Sequence, residues 1–529
     1  MGKAKPRPRA SVPDFLASHA GLCRVFQHAL PQPAETGLAA RLRASYVGEN
    51  SQEASSAGMR HRLEYSALLL PVLAWACTFT SALEDQPPED QPPEVSLAAL
   101  PGASVSRGDT VDIEVTASDP DGAVVAVWLS VDSVLLGVDT TSPYLFRWDT
   151  RGERIGRHLV TAVAGDASYR RSSRSIEVSV RWPDVAPERL GDGWETSTAS
   201  AEGIDAWRIA RLLDHMAEGG YEFMHALLVV RHGRLVIEEY FGGFGRDSLQ
   251  HLQSTTKSFT SALIGIAIDR GAIGSVDDPM FDYLPQYAWL RSPDKDRITI
   301  EDCLMMAAGL QWNEVTVPTD DARNDNMAGH RVPDYVAYML AKPVVAPPGT
   351  RWYYNSGCSV TLGAILEHAT GTPADAYAEQ FLFGPLGIST WVWERINRGR
   401  HVGTHGSLYL RPRDMAKFGQ LFLQRGAWNG EQLISAQWVE ESTRPRFTVG
   451  GNVRYGYQWW FQPQHGYAAP LTSGYGGQHI IFVPALDAVI VTAADYSNAD
   501  AITDQDDKIL SLAGQWIVPA MALSAAPSR

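Results

Sequence analysis

Apolar and polar positions follow two different rhythms along this chain. In residues 95–183 they alternate in short runs: Val111/Ile113/Val115, Val125/Val127/Leu129, Tyr144/Phe146/Trp148, Val160/Ala162/Ala164 and Ile176/Val178/Val180. Successive side chains of a strand point to opposite faces, so each run predicts a strand with one buried face. Turn formers separate the runs, among them Asp119-Pro120-Asp121-Gly122 and Arg151-Gly152. Short strands at this spacing predict a β-sandwich. Its aspartates are read as turn formers ahead of calcium ligands.

In residues 184–529 the rhythm is mixed. Residues 204–216 are amphipathic at helical spacing, 227–231 and 235–240 read as strands joined at His232-Gly233, and 362–369 are helical. Two more strands, 478–483 and 488–494, turn at Pro484-Ala485-Leu486-Asp487 before a last helix near 504–517. Strands from both ends with helices between them predict one antiparallel sheet flanked by helices, an α+β arrangement. The chain is therefore multidomain, an all-β sandwich followed by an α+β domain.

Ahead of the sandwich nothing predicts a core. Residues 1–58 are an irregular extension rich in Pro, Ala, Ser and Arg. Met59-Arg60-His61-Arg62 then leads into the short apolar run 65–77, with Ala74-Trp75-Ala76 as a small-residue cleavage site and Cys77 directly after it. A charged start and an apolar run too short for an ordinary span predict an export signal over 59–82, with Cys77 as a lipoprotein attachment point. The expected location is periplasmic, membrane-anchored or extracellular. Residues 83–94 repeat an acidic Pro-rich unit and predict an extended spacer.

Composition narrows the function. The chain has 529 residues and a net charge of −15, with no basic footprint for nucleic acid. Cys23, Cys77, Cys303 and Cys358 show neither metal spacing nor a disulfide framework, and no phosphate-binding or dinucleotide fingerprint is present. His251, His330, His401, His405 and His479 have no ligand spacing. No metal or cofactor is expected.

The candidate chemistry begins at Gln253-Ser254-Thr255-Thr256-Lys257, followed by the apolar run 262–268. A serine and a lysine three residues apart share one helix face, so a helix beginning at Ser254 sets the amine beside the hydroxyl. A desolvated lysine can take the proton of a serine nucleophile, and a serine at a helix start also offers its backbone N–H to an oxyanion. The same spacing recurs at Ser292-Pro293-Asp294-Lys295, where proline and charges predict a solvated loop. An N-cap is the competing role for Ser254. Residues 314–326 are acidic and irregular, a solvated surface loop ahead of a lid. Trp312, Trp352, Trp459 and Trp460 are expected in the core ahead of a pocket wall.

Two later segments strengthen the reading of Ser254 as a nucleophile. Pro348-Gly349-Thr350-Arg351-Trp352-Tyr353-Tyr354-Asn355-Ser356-Gly357 precedes a helix, and Ser473-Gly474-Tyr475-Gly476-Gly477-Gln478 precedes a strand. In this order the motifs resemble the serine hydrolases related to class C β-lactamases, D-alanyl-D-alanine carboxypeptidases, 6-aminohexanoate-dimer hydrolase and their esterase cousins. The resemblance covers roughly residues 185–529, including Arg413-Asp414-Met415-Ala416-Lys417-Phe418-Gly419 and Leu304-Met305-Met306-Ala307-Ala308-Gly309-Leu310. The sandwich resembles bacterial immunoglobulin-like domains.

The resemblance implies Ser254, Lys257 and Tyr354 as catalytic residues. It implies Gln478, Ser356, Tyr475, Gly476 and Gly477 around the oxyanion and substrate, with backbone N–H groups of Ser254 and Gln478 as oxyanion donors. Tyr354 would serve as a base at neutral pH with the Lys257 charge beside it. Ser356 stands where β-lactamases carry asparagine. Tyr475 replaces the cation that receives a substrate carboxylate. There is no Ser-Asp-Asn motif. These departures favour an esterase or amidase over a β-lactamase or D,D-peptidase proper, with an inactive cell-wall-binding module as a third reading. Expected partners are a small-molecule or peptide substrate and, through a lipidated Cys77, a membrane.

Overall fold

The structure, a computed structural model, describes residues 90–97, 104–497 and 502–522. The export segment 59–82 and most of the spacer lie outside the described residues.

The sandwich packs a three-stranded sheet, Glu94–Leu97, Thr110–Ser118 and Tyr144–Asp149, on a five-stranded one. The second sheet runs Ser104–Ser106, Arg171–Arg181, Gly156–Asp166, Val124–Val131, Val134–Asp139. The core holds the alternating residues expected of it, including Val111, Ile113, Val115, Phe146, Trp148, Val160 and Val178. Val125 departs from the expectation and is 51% exposed. A register shift between Val124 and Ala126 puts Ala126 and Val127 both inward and turns Val125 out, as an extra residue in one strand does. Strand Val134–Asp139 went unnoticed in the pattern because its apolar residues are exposed on an edge. Asp119 accepts backbone N–H bonds from Asp121 and Gly122, the geometry of a turn former.

The second domain is built on a nine-stranded sheet. Its order is Phe447–Gly450, Val453–Tyr455, Trp460–Phe461, Pro470–Gly474, Gln478–Val483, Ala488–Ala494, Met224–Arg231, Arg234–Tyr240, Glu195–Thr196. All neighbours are antiparallel except the last pair. Met224–Arg231 alternates between two cores. Ala226, Leu228 and Val230 join the core that holds the helices Thr256–Asp269, Ser356–Thr370 and Pro412–Leu423. Leu227 and Val229 join the core under Ala206–His215 and Ile502–Leu512. A strand covered on both faces reads as a continuous apolar run, which is how this one appears in sequence.

Helix Pro412–Leu423 lies close on the sheet because Gly419 has no side chain. A Cβ there would sit 2.5 Å from Val489 Cγ1. The helix is also tied to the edge by charge: Arg413 donates to Glu238 at 2.6 Å and to Asp192 at 3.0 Å, with Arg413 and Glu238 both buried. On the opposite face of the same strand Glu239 receives Arg107 of the sandwich at 2.6 Å through each oxygen, and Trp182 Nε1 at 2.8 Å. Ile155 of the sandwich joins the second domain's core.

Candidate active site

Ser254 sits at a forced bend. Gln253 has φ +51, a left-handed value that costs a side-chain-bearing residue about 1 kcal/mol. The turn Gln253–Thr255 follows, and helix Thr256–Asp269 begins two residues later than the sequence suggested. Thr255 Oγ1 donates to the Gln478 carbonyl at 2.7 Å and meets the Thr472 hydroxyl at 3.0 Å, pinning the bend against two strands. In the stretch 251–260 Ser254 alone is not fully buried.

Lys257 Nζ donates to Ser254 Oγ at 3.0 Å and to the His405 carbonyl at 2.5 Å. The lysine is 2% exposed. Burial lowers its pKa to about 8, against the opposing pull of the Glu314 charge. Its Nζ lies 5.1 Å from the centre of the Tyr354 ring, and Ser254 acts on the Tyr354 hydroxyl in the direction that favours its ionised form. Burial, then the Glu314 charge, push the Tyr354 pKa well above 10. The tyrosine is thus a neutral phenol near pH 7, and of the two groups Lys257 is the one that gives up its proton more readily and so offers a free base near neutral pH. Trp460 stacks on Tyr354 at 6.0 Å, and Trp352 packs against Trp460 at 5.9 Å. Trp459 belongs to the core with Phe418 and Phe422.

Asn355 caps helix Ser356–Thr370 by accepting from the Cys358 N–H at 3.3 Å, fixing the segment that carries Tyr354. Tyr353 lines a separate cavity of about 250 Å³ with Met306, Leu310, Trp312 and Arg351. Ser356 is buried and donates to Glu314 through its hydroxyl at 2.9 Å and its N–H at 3.1 Å. Gln478 opens its strand beside the Ser254 bend, and its side chain is held on Ala494. Tyr475, Gly476 and Gly477 make the hairpin turn before it. Gly476 and Gly477 have φ +88 and +101. A Cβ on them would meet Asp495 O at 2.8 Å and Ile509 Cδ1 at 2.7 Å. The decoy pair is apart: Lys295 Nζ donates to the Leu340 carbonyl at 2.6 Å.

The stretch 314–326 is solvated only in its middle, where Thr316, Pro318, Asp320, Ala322 and Arg323 are exposed, and its two ends are buried. Glu314, Asn324, Asp325 and Asn326 are buried. Asn324 caps helix Asp325–Arg331 and donates to the Val317 carbonyl at 2.8 Å, and Tyr338 donates to Asp325 at 2.7 Å. Glu314 accepts Trp312 Nε1 at 2.8 Å besides both Ser356 donors. The available signal was the alternation of buried Leu310, Trp312 and Glu314, a strand-like rhythm running through an acidic segment. Two unassigned histidines also gather here, His330 Nε2 meeting His405 Nε2 at 2.9 Å. The arrangement sets a nucleophilic hydroxyl against a buried amine of lowered basicity and a neutral phenol, the parts required for acyl transfer.

A profile of the Beta-lactamase family matches residues 209–513, and one of a Bacterial Ig domain matches 93–162. The 6-aminohexanoate-dimer hydrolase of Paenarthrobacter ureafaciens is 26% identical over 304 residues, 52% of this chain and 73% of that protein. A Salmonella agona protein provisionally named D-alanyl-D-alanine carboxypeptidase is 26% identical over 231 residues, 39% of this chain and 51% of its own length. Among solved structures, one from Bacteroides dorei provisionally titled a beta-lactamase superposes with TM-score 0.50 at 20% identity, covering 60% of this chain and 99% of that one.

Proposed function

The chain belongs to the beta-lactamase family of serine hydrolases, and from that premise we propose that it cleaves small esters or amides through an acyl-enzyme on Ser254. Neutral Lys257 takes the Ser254 proton as Oγ adds to the carbonyl. Tyr354 relays a proton to the leaving group, and water then attacks the acyl-enzyme by the reverse route. Backbone N–H groups of Ser254 and Gln478 are the proposed oxyanion donors, each worth roughly 3 kcal/mol in such sites. The observation that carries this reading is the contact of Ser254 with Lys257 at 3.0 Å, beside a lysine whose pKa burial has lowered to about 8.

The preference for uncharged substrates rests on Tyr475, a neutral side chain where the related β-lactamases present a cation. Parallel assays of p-nitrophenyl esters, nitrocefin and a D-alanyl-D-alanine peptide test it, together with fluorophosphonate labelling of Ser254. Faster turnover of nitrocefin than of the esters would overturn the substrate preference. No covalent adduct on Ser254 would overturn the hydrolase mechanism. For residues 59–77 the proposal is export with cleavage before Cys77, supported by the charged start and short apolar run. Mass spectrometry of the native N-terminus tests it, and a cytosolic protein that keeps Met1 would refute it.

A further inference from the structure

Thr404 takes no part in the steps above, yet every polar group it has is committed. It is fully buried. Its N–H donates to the Val402 carbonyl at 2.8 Å, its hydroxyl donates to the Ser359 carbonyl at 2.9 Å, and its own carbonyl accepts from Thr260 Oγ1 at 2.7 Å. Ser359 belongs to helix Ser356–Thr370, which starts two residues after Tyr354, and Thr260 to helix Thr256–Asp269, which carries Lys257. The residue after Thr404 is His405, whose carbonyl accepts from Lys257 Nζ at 2.5 Å.

The bond to Ser359 does more than satisfy a buried carbonyl. Ser359 lies inside its helix, and an α-helix supplies each such carbonyl with the N–H four residues on. The Thr404 hydroxyl is therefore a second donor on that oxygen, and what the bond fixes is Thr404 itself. Gly363 lets the helix come this close: a Cβ there would sit 2.7 Å from Thr404 Oγ1 and 2.8 Å from its Cγ2. The same two helices are joined again by Gln458, which accepts from Ser258 Oγ on its main-chain carbonyl at 2.7 Å and from Ser359 Oγ on its side chain at 2.6 Å. Gln458 is buried and holds this place at φ +64, a left-handed value uncommon for a residue with a side chain. Thr260, Thr404, Ser359, Gln458 and Ser258 thus form a closed ring that begins and ends on the helix of Lys257.

Resting on the hydrolase reading, we propose that Thr404 is a positioning residue for the reaction: wedged between the two helices, it holds the His405 carbonyl where that carbonyl orients the Lys257 amine towards Ser254. A neutral amine has two N–H bonds and one lone pair. With one N–H committed to the His405 carbonyl and Ser254 Oγ 3.0 Å away, the lone pair is left for the serine proton. If the carbonyl drifts, the amine turns with it, and a misplacement of about 1 Å in such a site can cost on the order of a hundredfold in rate. A threonine that served packing alone would tolerate valine, which has the same shape and lacks the hydroxyl.

The test is single-turnover acylation by a p-nitrophenyl ester, with the rate of fluorophosphonate labelling of Ser254 as a second measure, in the wild-type protein and four variants. Thr404→Val removes the hydroxyl, and Thr260→Val removes the donor to the Thr404 carbonyl. Each should slow acylation and labelling by about tenfold or more, while the ester concentration for half-maximal rate stays within about twofold of wild type. Thr404→Ser keeps the hydroxyl and should acylate within about threefold of wild type. Thr361→Val is the control: its hydroxyl, on the same helix as Ser359, meets Met339 Sδ at 3.3 Å, and removing it should leave acylation unchanged. A folded Thr404→Val protein that acylates within about twofold of wild type overturns the proposal. So does a Thr404→Ser protein as slow as Thr404→Val, or equal slowing in Thr361→Val. Should Thr404→Val not fold, Thr260→Val decides by the same criterion. A wild-type protein that neither hydrolyses esters nor accepts a fluorophosphonate on Ser254 defeats the hydrolase reading beneath it. Labelled, active wild type with undiminished acylation in Thr404→Val defeats this inference alone.

Discussion

Tyr353 and Tyr354 are neighbours in sequence with different surroundings: Tyr354 is buried with its ring centre 5.1 Å from Lys257 Nζ, whereas Tyr353 lines the space beside Met306, Trp312 and Arg351. Adjacent side chains of an extended segment face opposite sides, so only one of the two can serve the nucleophile. Tyr354→Phe is expected to lower the acylation rate by at least about a hundredfold, the scale for losing a proton-transfer group. Its melting temperature should change little. Tyr353→Phe should be mild. Pre-steady-state kinetics with an ester measure both, and a larger loss in Tyr353→Phe would contradict the placement.

The two Ser-x-x-Lys pairs are separated in the same way. Lys257 reaches its serine, while Lys295 reaches the Leu340 carbonyl. Ser254→Ala should abolish ester turnover and fluorophosphonate labelling. Ser292→Ala should leave both intact, and any large loss there would place the nucleophile elsewhere.

Activity should rise with pH. The folded protein holds the Lys257 pKa near about 8, below its ordinary value, so protonated lysine predominates at lower pH and cannot accept the Ser254 proton. The rate should climb about tenfold per unit at pH values well below that pKa and level off above it. Tyr354 lies well above 10 and adds no limb in this range. A profile flat from pH 6 to 9 would show that Lys257 is not the base.

Much of this was legible in the sequence because it lies in contiguous patterns. The spacing of Ser254 and Lys257 on one helix, the alternation of the sandwich strands and the apolar runs around 227 and 488 are local signals. Glu314 was not legible in the same way. Its burial depends on Ser356, which follows 42 residues later, and an acidic segment rich in Asp and Asn reads as solvated unless its distant donors are known. The histidine pair is equally non-local, its members being 75 residues apart. The raised pKa of Tyr354 is non-local for a related reason: desolvation is a property of the assembled site and cannot be read from one segment.

The hairpin at Gly476 should be intolerant of side chains. Its φ of +88 disfavours any residue with a Cβ, and that Cβ would meet the Asp495 carbonyl and Tyr496 within 3.0 Å. Gly476→Ala is expected to cost roughly 2–4 kcal/mol in denaturant unfolding, combining backbone strain with a clash against main chain. A loss below about 0.5 kcal/mol would show that the turn relaxes freely.

The sandwich should contribute to the stability of the hydrolase domain through one carboxylate. Glu238 and Glu239 point to opposite faces of strand Arg234–Tyr240, and each is held by an arginine, Arg413 within the domain and Arg107 from the sandwich. Glu239 is 4% exposed, so removing Arg107 leaves a buried charge that still accepts from the Trp182 indole. Stranding a buried charge costs about 3 kcal/mol, reduced here because Arg107 itself is 24% exposed. Arg107→Ala is therefore expected to destabilise by roughly 2 kcal/mol. Glu239→Gln should be milder, since the amide oxygen still accepts from Trp182. The double variant should recover at least about 1 kcal/mol of the summed losses, because the second change removes the stranded charge. Ester turnover at Ser254 should be unchanged throughout, as neither residue touches that site. Strictly additive losses would mean that the two side chains do not act as a pair.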